Sequence, residues 1–376
     1  MQLMHFTIPR QSNKQTAPVR KLVPLLVLLA CAFSCAEDVP RPLQAVNIAP
    51  LPAATANNAV ASVTAGGTQY VISFAGLAAG RKYTDIHART YVLNGASNEW
   101  TEQSAVPGNT GRLAATAAAA GELAYVFGGY SVAQDGSEIS TPWTHSFDPI
   151  TSRFTELTPM PIPVDDAVSV TYADRYIYLI SGWHDLGNIN LVQQYDTVTD
   201  TWAQASPLPG VALFGHAGGM IGDTMFYCDG VAVLANENAP RSFVASDECF
   251  SGTVDERDSR RIDWRPVSPH PGLPRYRMAA TGITELNAIL FVGGSENPYN
   301  YDGIGYDGTP SKPVSDALLF ALDTRRWSVV PHDAQPTMDH RGLVSYQNTW
   351  LTVGGMLDGQ EISAGVVAYT IDSSLE

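Results

Sequence analysis

The stretch Tyr125-Val-Phe-Gly-Gly129 decides the architecture of this chain. Three apolar or aromatic residues closed by paired glycines are too few for a helix and read as a short strand buried on both faces. Glycine at the end of such a strand permits a positive φ or a close approach of neighbouring backbone. The phrase returns as YVISFAG over 70–76, YLISG over 178–182, FYCDG over 226–230, LFVGG over 290–294 and LTVGG over 351–355. Its closing glycines lie 53, 53, 48, 64 and 61 residues apart. Self-similarity at about 50 residues marks a repeat architecture with one propeller blade per period. A single such strand cannot bury its own surface, whereas six copies packed around an axis can, leaving only short, protected edges.

The remainder of each period fits the same unit. After the glycine come a loop, a strand ending in an aromatic or apolar residue and often Asp, a turn, and then Trp or Phe. Tyr195-Asp196 to Trp202, Phe147-Asp148 to Phe154 and Leu93-Asn94 to Trp100 follow this spacing. Leu322-Asp323 to Trp327 reads as a shortened version, and Trp264 closes a divergent fourth copy. On these residues the chain resembles the kelch-repeat family, whose blades carry a glycine pair followed by a spaced Tyr and Trp. The resemblance covers about 325 residues from Gln44 onward and speaks to fold more than to function. It implies an all-β, six-bladed kelch-type β-propeller.

Ring closure is also readable. Residues 46–52 resemble 202–209, an outer strand with its exit turn, while the last copy ends at 366–371 with no Trp-bearing strand after it. The first strand of the domain, near 44–48, is therefore expected to complete the sixth blade and protect its edge. A seventh blade hidden in the long 231–262 insertion is the alternative.

Composition agrees with this reading. Charged residues make up 16 %, and the 32 glycines and 25 prolines suit an all-β fold with many turns. The net charge of −15 opposes a phosphate backbone, so nucleic acid is not an expected partner. A basic stretch precedes Leu22-Val-Pro-Leu-Leu-Val-Leu-Leu-Ala30 and Cys31. Nine apolar residues are too few to span a bilayer, so residues 1–30 read as a signal peptide. Leu28-Leu29-Ala30-Cys31 resembles a bacterial lipoprotein box with Cys31 as the lipidated residue. Cys35 and an ordinary secretory cleavage are the alternatives. Residues 31–43 then form a tether and 44–376 the propeller, exported to the periplasm or cell envelope and touching membrane only through its lipid. Cys228 and Cys249, on consecutive strands of the fourth blade, are either bridged or paired thiols.

Counting back about sixteen residues from each glycine pair gives the starts of the inner strands: Asn57 and Asn58, Arg112, Asp165 and Asp166, His216, Arg277, and His340 with Arg341. A propeller axis gathers such positions at one channel mouth. Three arginines there suit a carboxylate or phosphate, because guanidinium is a fixed fork that stays charged when dehydrated. Asp165 and Asp166 pairing with those arginines is the plainer reading. Arg275 and Tyr276 could extend the set. Loops after the glycines add Tyr130, Trp183-His184-Asp185, Glu296 and the Tyr-rich stretch 298–306. Aromatic rings beside carboxylates and amides suit a sugar, and also suit a protein partner.

No phosphate loop, dinucleotide fingerprint, HExxH or nucleophile elbow is present. The acids near Asp302 and Asp307 lack the spacing of a calcium loop, so no metal is expected. The copper set of galactose oxidase, a kelch enzyme, cannot be assembled from these residues. Bacterial exported kelch proteins of the sialic-acid mutarotase (N-acetylneuraminate epimerase) type are the nearer resemblance. It implies cofactor-free acid–base opening and reclosing of a sugar ring. On matching blade positions, Arg112, Arg277 and Arg341 would hold a carboxylate, with Asp165, Asp166 and Trp183 around it. His184, His216 or Glu296 would carry the proton. The alternative is a non-catalytic module binding a glycan or an envelope protein through the loop face.

Overall fold

The computed structural model describes residues 42–108, 110–236 and 240–371. The expected signal peptide, Cys31, Cys35 and nearly all of the expected tether lie outside these residues. Six four-stranded antiparallel sheets form the blades. Blade 1 runs through Ala59–Ala65, Thr68–Leu77, Ile86–Asn94 and Glu99–Gln103 from the axis outward. Blades 2 to 5 repeat this order, starting with the inner strands Thr116–Ala120, Val168–Tyr172, Ala217–Ile221 and Ala279–Ile283. Blade 6 takes Val344–Tyr346, Thr349–Val353 and Val366–Ile371 from the end of the chain, and its outermost strand is Leu43–Asn47. Gln44 lies opposite Thr370 and Asn47 opposite Val367 in that closing ladder. Among the described residues there is no α-helix, and no helix is long and apolar enough to cross a membrane.

The recurring phrase now has a physical cause. The second glycine of each copy donates its N–H to the next blade: Gly129 to the Val164 carbonyl, Gly182 to Leu213, Gly294 to Thr337 and Gly355 to Thr55. The preceding residue has a left-handed φ, 56° at Gly128, and a Cβ there would collide with the Val164 carbonyl oxygen. At Ser181 and Asp229, which stand in place of this glycine, the side chain joins the contact. Ser181 donates its hydroxyl to the Leu213 carbonyl at 2.7 Å, and Asp229 accepts the Arg275 N–H at 2.7 Å.

The outer-strand tryptophans have a matching role. Trp100, Trp202, Trp264 and Trp327 donate their indole N–H to the carbonyls of Ala49, Thr158, Ser206 and Ser268 in the exit segments of the preceding blades. Buried aromatic N–H groups need such partners. In blade 5 the cross-strand partner of Trp327 is Phe320, not a residue of the Leu322-Asp323 pair. The fifth copy is therefore of full length, with the same seven-residue spacing as Tyr195 to Trp202.

No seventh blade is hidden in the insertion. Residues 249–255 and 258–267 are the two outer strands of blade 4. The remainder forms an added hairpin, Val231–Leu234 paired with Ser242–Ala245. Cys228 and Cys249 are directly opposite on adjacent strands and form a disulfide.

Candidate functional site

Each inner strand is preceded by a residue with left-handed backbone: Asn57, Ala114, Asp166, Gly215, Arg277 and Asp339, with φ between 51° and 70°. These residues make a hydrogen-bonded belt around the axis. The N–H of Asp166 donates to Ala114 O, that of Gly215 to Asp166 O, that of Arg277 to Gly215 O, and that of Asn57 to Asp339 O. His340 N–H donates to Arg277 O at 3.2 Å, and Ala114 N–H donates to the Asn57 side-chain oxygen. The belt forces its own side chains toward the axis, which is why residues far apart in sequence meet there.

Asp166, Arg277 and Asp339 of the belt form a buried cluster with Arg341, in which each arginine contacts both aspartates. Arg277 donates to Asp166 Oδ2 through Nη2 and to Asp339 Oδ1 through Nη1 at 3.1 Å. Arg341 reaches Asp166 Oδ1 at 2.9 Å, Asp339 Oδ1 at 3.4 Å and Asn57 Oδ1 at 2.8 Å. All four side chains are at most 3 % exposed. Burial pushes Asp166 upward, but Arg277 and Arg341 override it and hold the carboxyl below its usual value. Burial likewise works against charged Arg277, yet Asp166, Tyr276 and Asp339 raise it well above its ordinary range.

Above the belt, on the loop face, lies a cavity of about 250 Å³. Asp165, Asp166 and Arg277 line its floor, and Tyr130, Trp183, Phe214, Phe243 and Tyr306 line its walls. The rings pack on one another: Trp183 lies 5.4 Å from Phe214, and Phe243 stacks on Tyr306 at 4.0 Å. Glu138 and Arg241 also line the cavity, both as exposed residues. Arg241 lies 4.6 Å over the Trp183 ring and donates to the Leu186 carbonyl.

Asp165 and Asp166 are chain neighbours with opposite behaviour. Burial, reinforced by the charge of Asp166, raises the Asp165 carboxyl well above its ordinary value. Asp165 accepts a hydrogen bond from the Ser140 hydroxyl at 2.7 Å. Desolvation also raises Glu138, against an opposing pull from Arg277. The floor thus holds one carboxyl whose environment favours the protonated form beside an arginine-bound one whose environment favours the ionised form.

The expected ring of three arginines is only partly formed. Arg277 and Arg341 converge, but their guanidinium groups are engaged by aspartates. Arg112 does not join them: it sits two residues before the left-handed position, donates Nη1 to Gly128 O at 2.9 Å and lies over Trp143. Asp165, Asp166 and Trp183 are at the mouth. The three expected proton carriers are not among the residues lining this cavity. His184 is tied through Nδ1 to the Pro163 carbonyl, and Glu296 is exposed. His216 faces a second cavity of about 210 Å³ in the central channel, where burial lowers its pKa to about 4. Arg275 is drawn away by Asp316 at 3.0 Å. Asp339, Glu138, Phe214, Arg241 and Phe243 are residues that sequence reasoning missed. Asp339 had a signal, since sixteen residues counted back from Gly355 land on it without any gap.

Kelch domain-containing protein 3 is similar to this chain in two mammals. The bovine protein is 26 % identical over 192 residues, 47 % of this chain and 46 % of its own length. The rat protein is 26 % identical over 250 residues, 62 % of this chain and 60 % of its own. The chain therefore spans about half to three-fifths of these relatives. The kelch-like protein terF of Aspergillus terreus is 29 % identical over 171 residues. The solved structure of YjhT superposes with a TM-score of 0.68, covering 87 % of this chain and 98 % of YjhT at 17 % identity. The chain is a six-bladed β-propeller whose repeats are similar to those of kelch proteins. No family model matches it, in keeping with a kelch repeat whose glycine pair is replaced by Ala75-Gly76, Ser181-Gly182 and Asp229-Gly230 in half its blades.

Proposed function

We propose that this kelch propeller binds a small polyhydroxylated molecule, a sugar or sugar acid, in the mouth cavity, and that the site favours opening and reclosing of the sugar ring. The observation that carries this reading is the pair Asp165 and Asp166 on the floor of an aromatic-walled hollow, with their protonation pushed apart. Aromatic faces such as Trp183 offer a platform to the C–H face of a sugar. A cavity of about 250 Å³ suits a single ring.

Mutarotation breaks the bond between the anomeric carbon and the ring oxygen, places a proton on that oxygen and removes one from the anomeric hydroxyl. Asp165 would supply the first proton. Glu138, whose carboxylate is made more basic by desolvation, would accept the second. Asp166 would act on Asp165 rather than on the sugar, since its negative charge helps keep the neighbouring carboxyl protonated. Arg277 and Arg341 are committed to aspartates, so a sugar carboxylate would meet Arg241 at the rim. Export and a lipid anchor at Cys31 belong to the same proposal, and a Cys31→Ser chain would be released from membranes on fractionation.

The test is NMR of anomer exchange and ligand binding across a panel of neutral and acidic monosaccharides. A bound sugar should lose affinity at least tenfold in Trp183→Ala and Phe243→Ala. Asp165→Asn should retain binding and lose exchange. If no sugar binds, the reading fails; if one binds without faster exchange, only the catalytic part fails. A second reading, a protein-docking module, is favoured by exposed Ile139, Leu186 and Leu234 on three neighbouring hairpins of the loop face. It would be supported if those residues, rather than Trp183, governed binding.

A further inference from the structure

The charges around the mouth cavity do not balance. Arg277 commits Nη1 and Nη2 to Asp339 and Asp166, and its Nε is buried, so it has little to offer a ligand. Arg341 is held by the same aspartates and does not line this cavity. Two further carboxyls, Asp165 and Glu138, do line it. Among the described residues neither has an ion-pair partner, and Asp165 accepts a hydrogen bond, from Ser140, through Oδ2 alone. Apart from Arg241 at the rim, the charge left for a ligand is therefore negative.

Arg241 itself shows what the walls accept. Its guanidinium carbon lies 4.6 Å from the Trp183 ring centre and 5.5 Å from that of Phe243, while Nη1 donates to the Leu186 carbonyl at 3.0 Å. Among the described residues no carboxylate pairs with it, so two rings and a carbonyl receive this exposed cation. Glu138 stands among further rings. Burial raises the phenols of Tyr130, Tyr301 and Tyr306, and the charge of Glu138 adds to the rise in each. Aromatic faces beside a carboxylate suit an ammonium group, because the ring quadrupole attracts the cation and the carboxylate neutralises it. The net charge of −15 draws cations toward the body as a whole.

We infer that the mouth cavity selects a protonated amine, and that the sugar it takes is a 2-amino sugar whose ammonium pairs with Glu138 beside the tyrosine rings. The choice of a sugar rests on the mouth being a sugar site; the preference for a cation does not. A 2-amino group neighbours the anomeric carbon, so the carboxylate that faces the anomeric hydroxyl can reach both. Arg241 competes with the ligand for the Trp183 face.

The experiment is calorimetric titration of the full protein near pH 6.5 with glucosamine, galactosamine and mannosamine, each beside its parent hexose and its N-acetylated form. Tetramethylammonium serves as a cation without a sugar. At least one amino sugar should bind about tenfold more tightly than both its neutral counterparts, since a charge-assisted contact and a cation–π contact are gained. Glu138→Gln should abolish that preference, and Arg241→Gln should raise amino-sugar affinity a few-fold. The inference is overturned if the amino sugars bind no more tightly than the hexoses, or if Glu138→Gln keeps the preference. If tetramethylammonium binds in a Glu138-dependent way and no sugar binds, the cation preference stands and the sugar reading alone fails. If nothing in the panel binds, both fail.

Discussion

Two adjacent aspartates show how one peptide unit can create opposite chemistry. Asp165 is in a bridge to Trp183, whereas Asp166 has φ of 51° and turns its carboxylate onto Arg277 and Arg341. Both residues were legible in the sequence as the start of an inner strand. Their different states were not, because the left-handed backbone at Asp166 decides which of the two carboxylates faces Arg277 and Arg341. The sign of a pH effect follows. A carboxyl whose folded pKa is raised favours folding only while protonated, so its stability is lost as pH rises from the unfolded value of about 3.8 through the folded one. Asp165→Asn needs no proton there. It should match the parent near pH 4 and melt at a higher temperature near pH 8, while losing any activity that needs the acid. Thermal unfolding at both pH values checks this, and an equal shift at both would contradict a raised Asp165.

Among elements, the closing strand and the glycine-ended strands were readable because each repeats a pattern. The loop-face hairpins were not. Arg241 and Phe243 belong to the longest of three such hairpins and Glu138 to the one on blade 2, and these hairpins differ in length and sequence from blade to blade. Arg112 was misplaced for a related reason. Counting sixteen residues back from Gly128 gives Arg112, two residues short of the left-handed Ala114 of the belt, and its side chain bonds the carbonyl of its own glycine pair. The closing strand carries a quantitative expectation. Leu43 is 2 % exposed in the cluster that joins blades 5 and 6 through Ala279, Leu290 and Tyr369. Leu43→Ala should cost about 2–4 kcal/mol by leaving a cavity, whereas Val46→Ala, at 62 % exposed on the same strand, should cost under about 0.5 kcal/mol. Urea unfolding of the two variants compares a buried closing ladder with an edge that merely rests in place.

For the whole molecule, the net charge of −15 is spread over a body whose axis is locally neutral. Two arginines and two aspartates cancel there, drawn from blades 3, 5 and 6, with Asn57 of blade 1 bridging to Arg341 and Asp339. This cluster ties blade 3 to blades 5 and 6, which do not adjoin it in sequence, so its loss should be felt by the ring as a unit. Asp339→Asn preserves shape and removes one negative charge, leaving two buried guanidinium groups to share Asp166. Breaking one partner of a buried pair costs about 3–5 kcal/mol, because the charge left behind cannot be rehydrated. Exposed Glu138→Gln, on the cavity rim above, should stay within about 0.5 kcal/mol. Equilibrium unfolding in urea should show Asp339→Asn shifting a single cooperative transition rather than splitting it. Adding Arg341→Met should recover part of the loss by removing the surplus cation. A cost below about 1 kcal/mol for Asp339→Asn, or no recovery in the double variant, would mean that the backbone belt alone holds the blades and the charged cluster is incidental to closure.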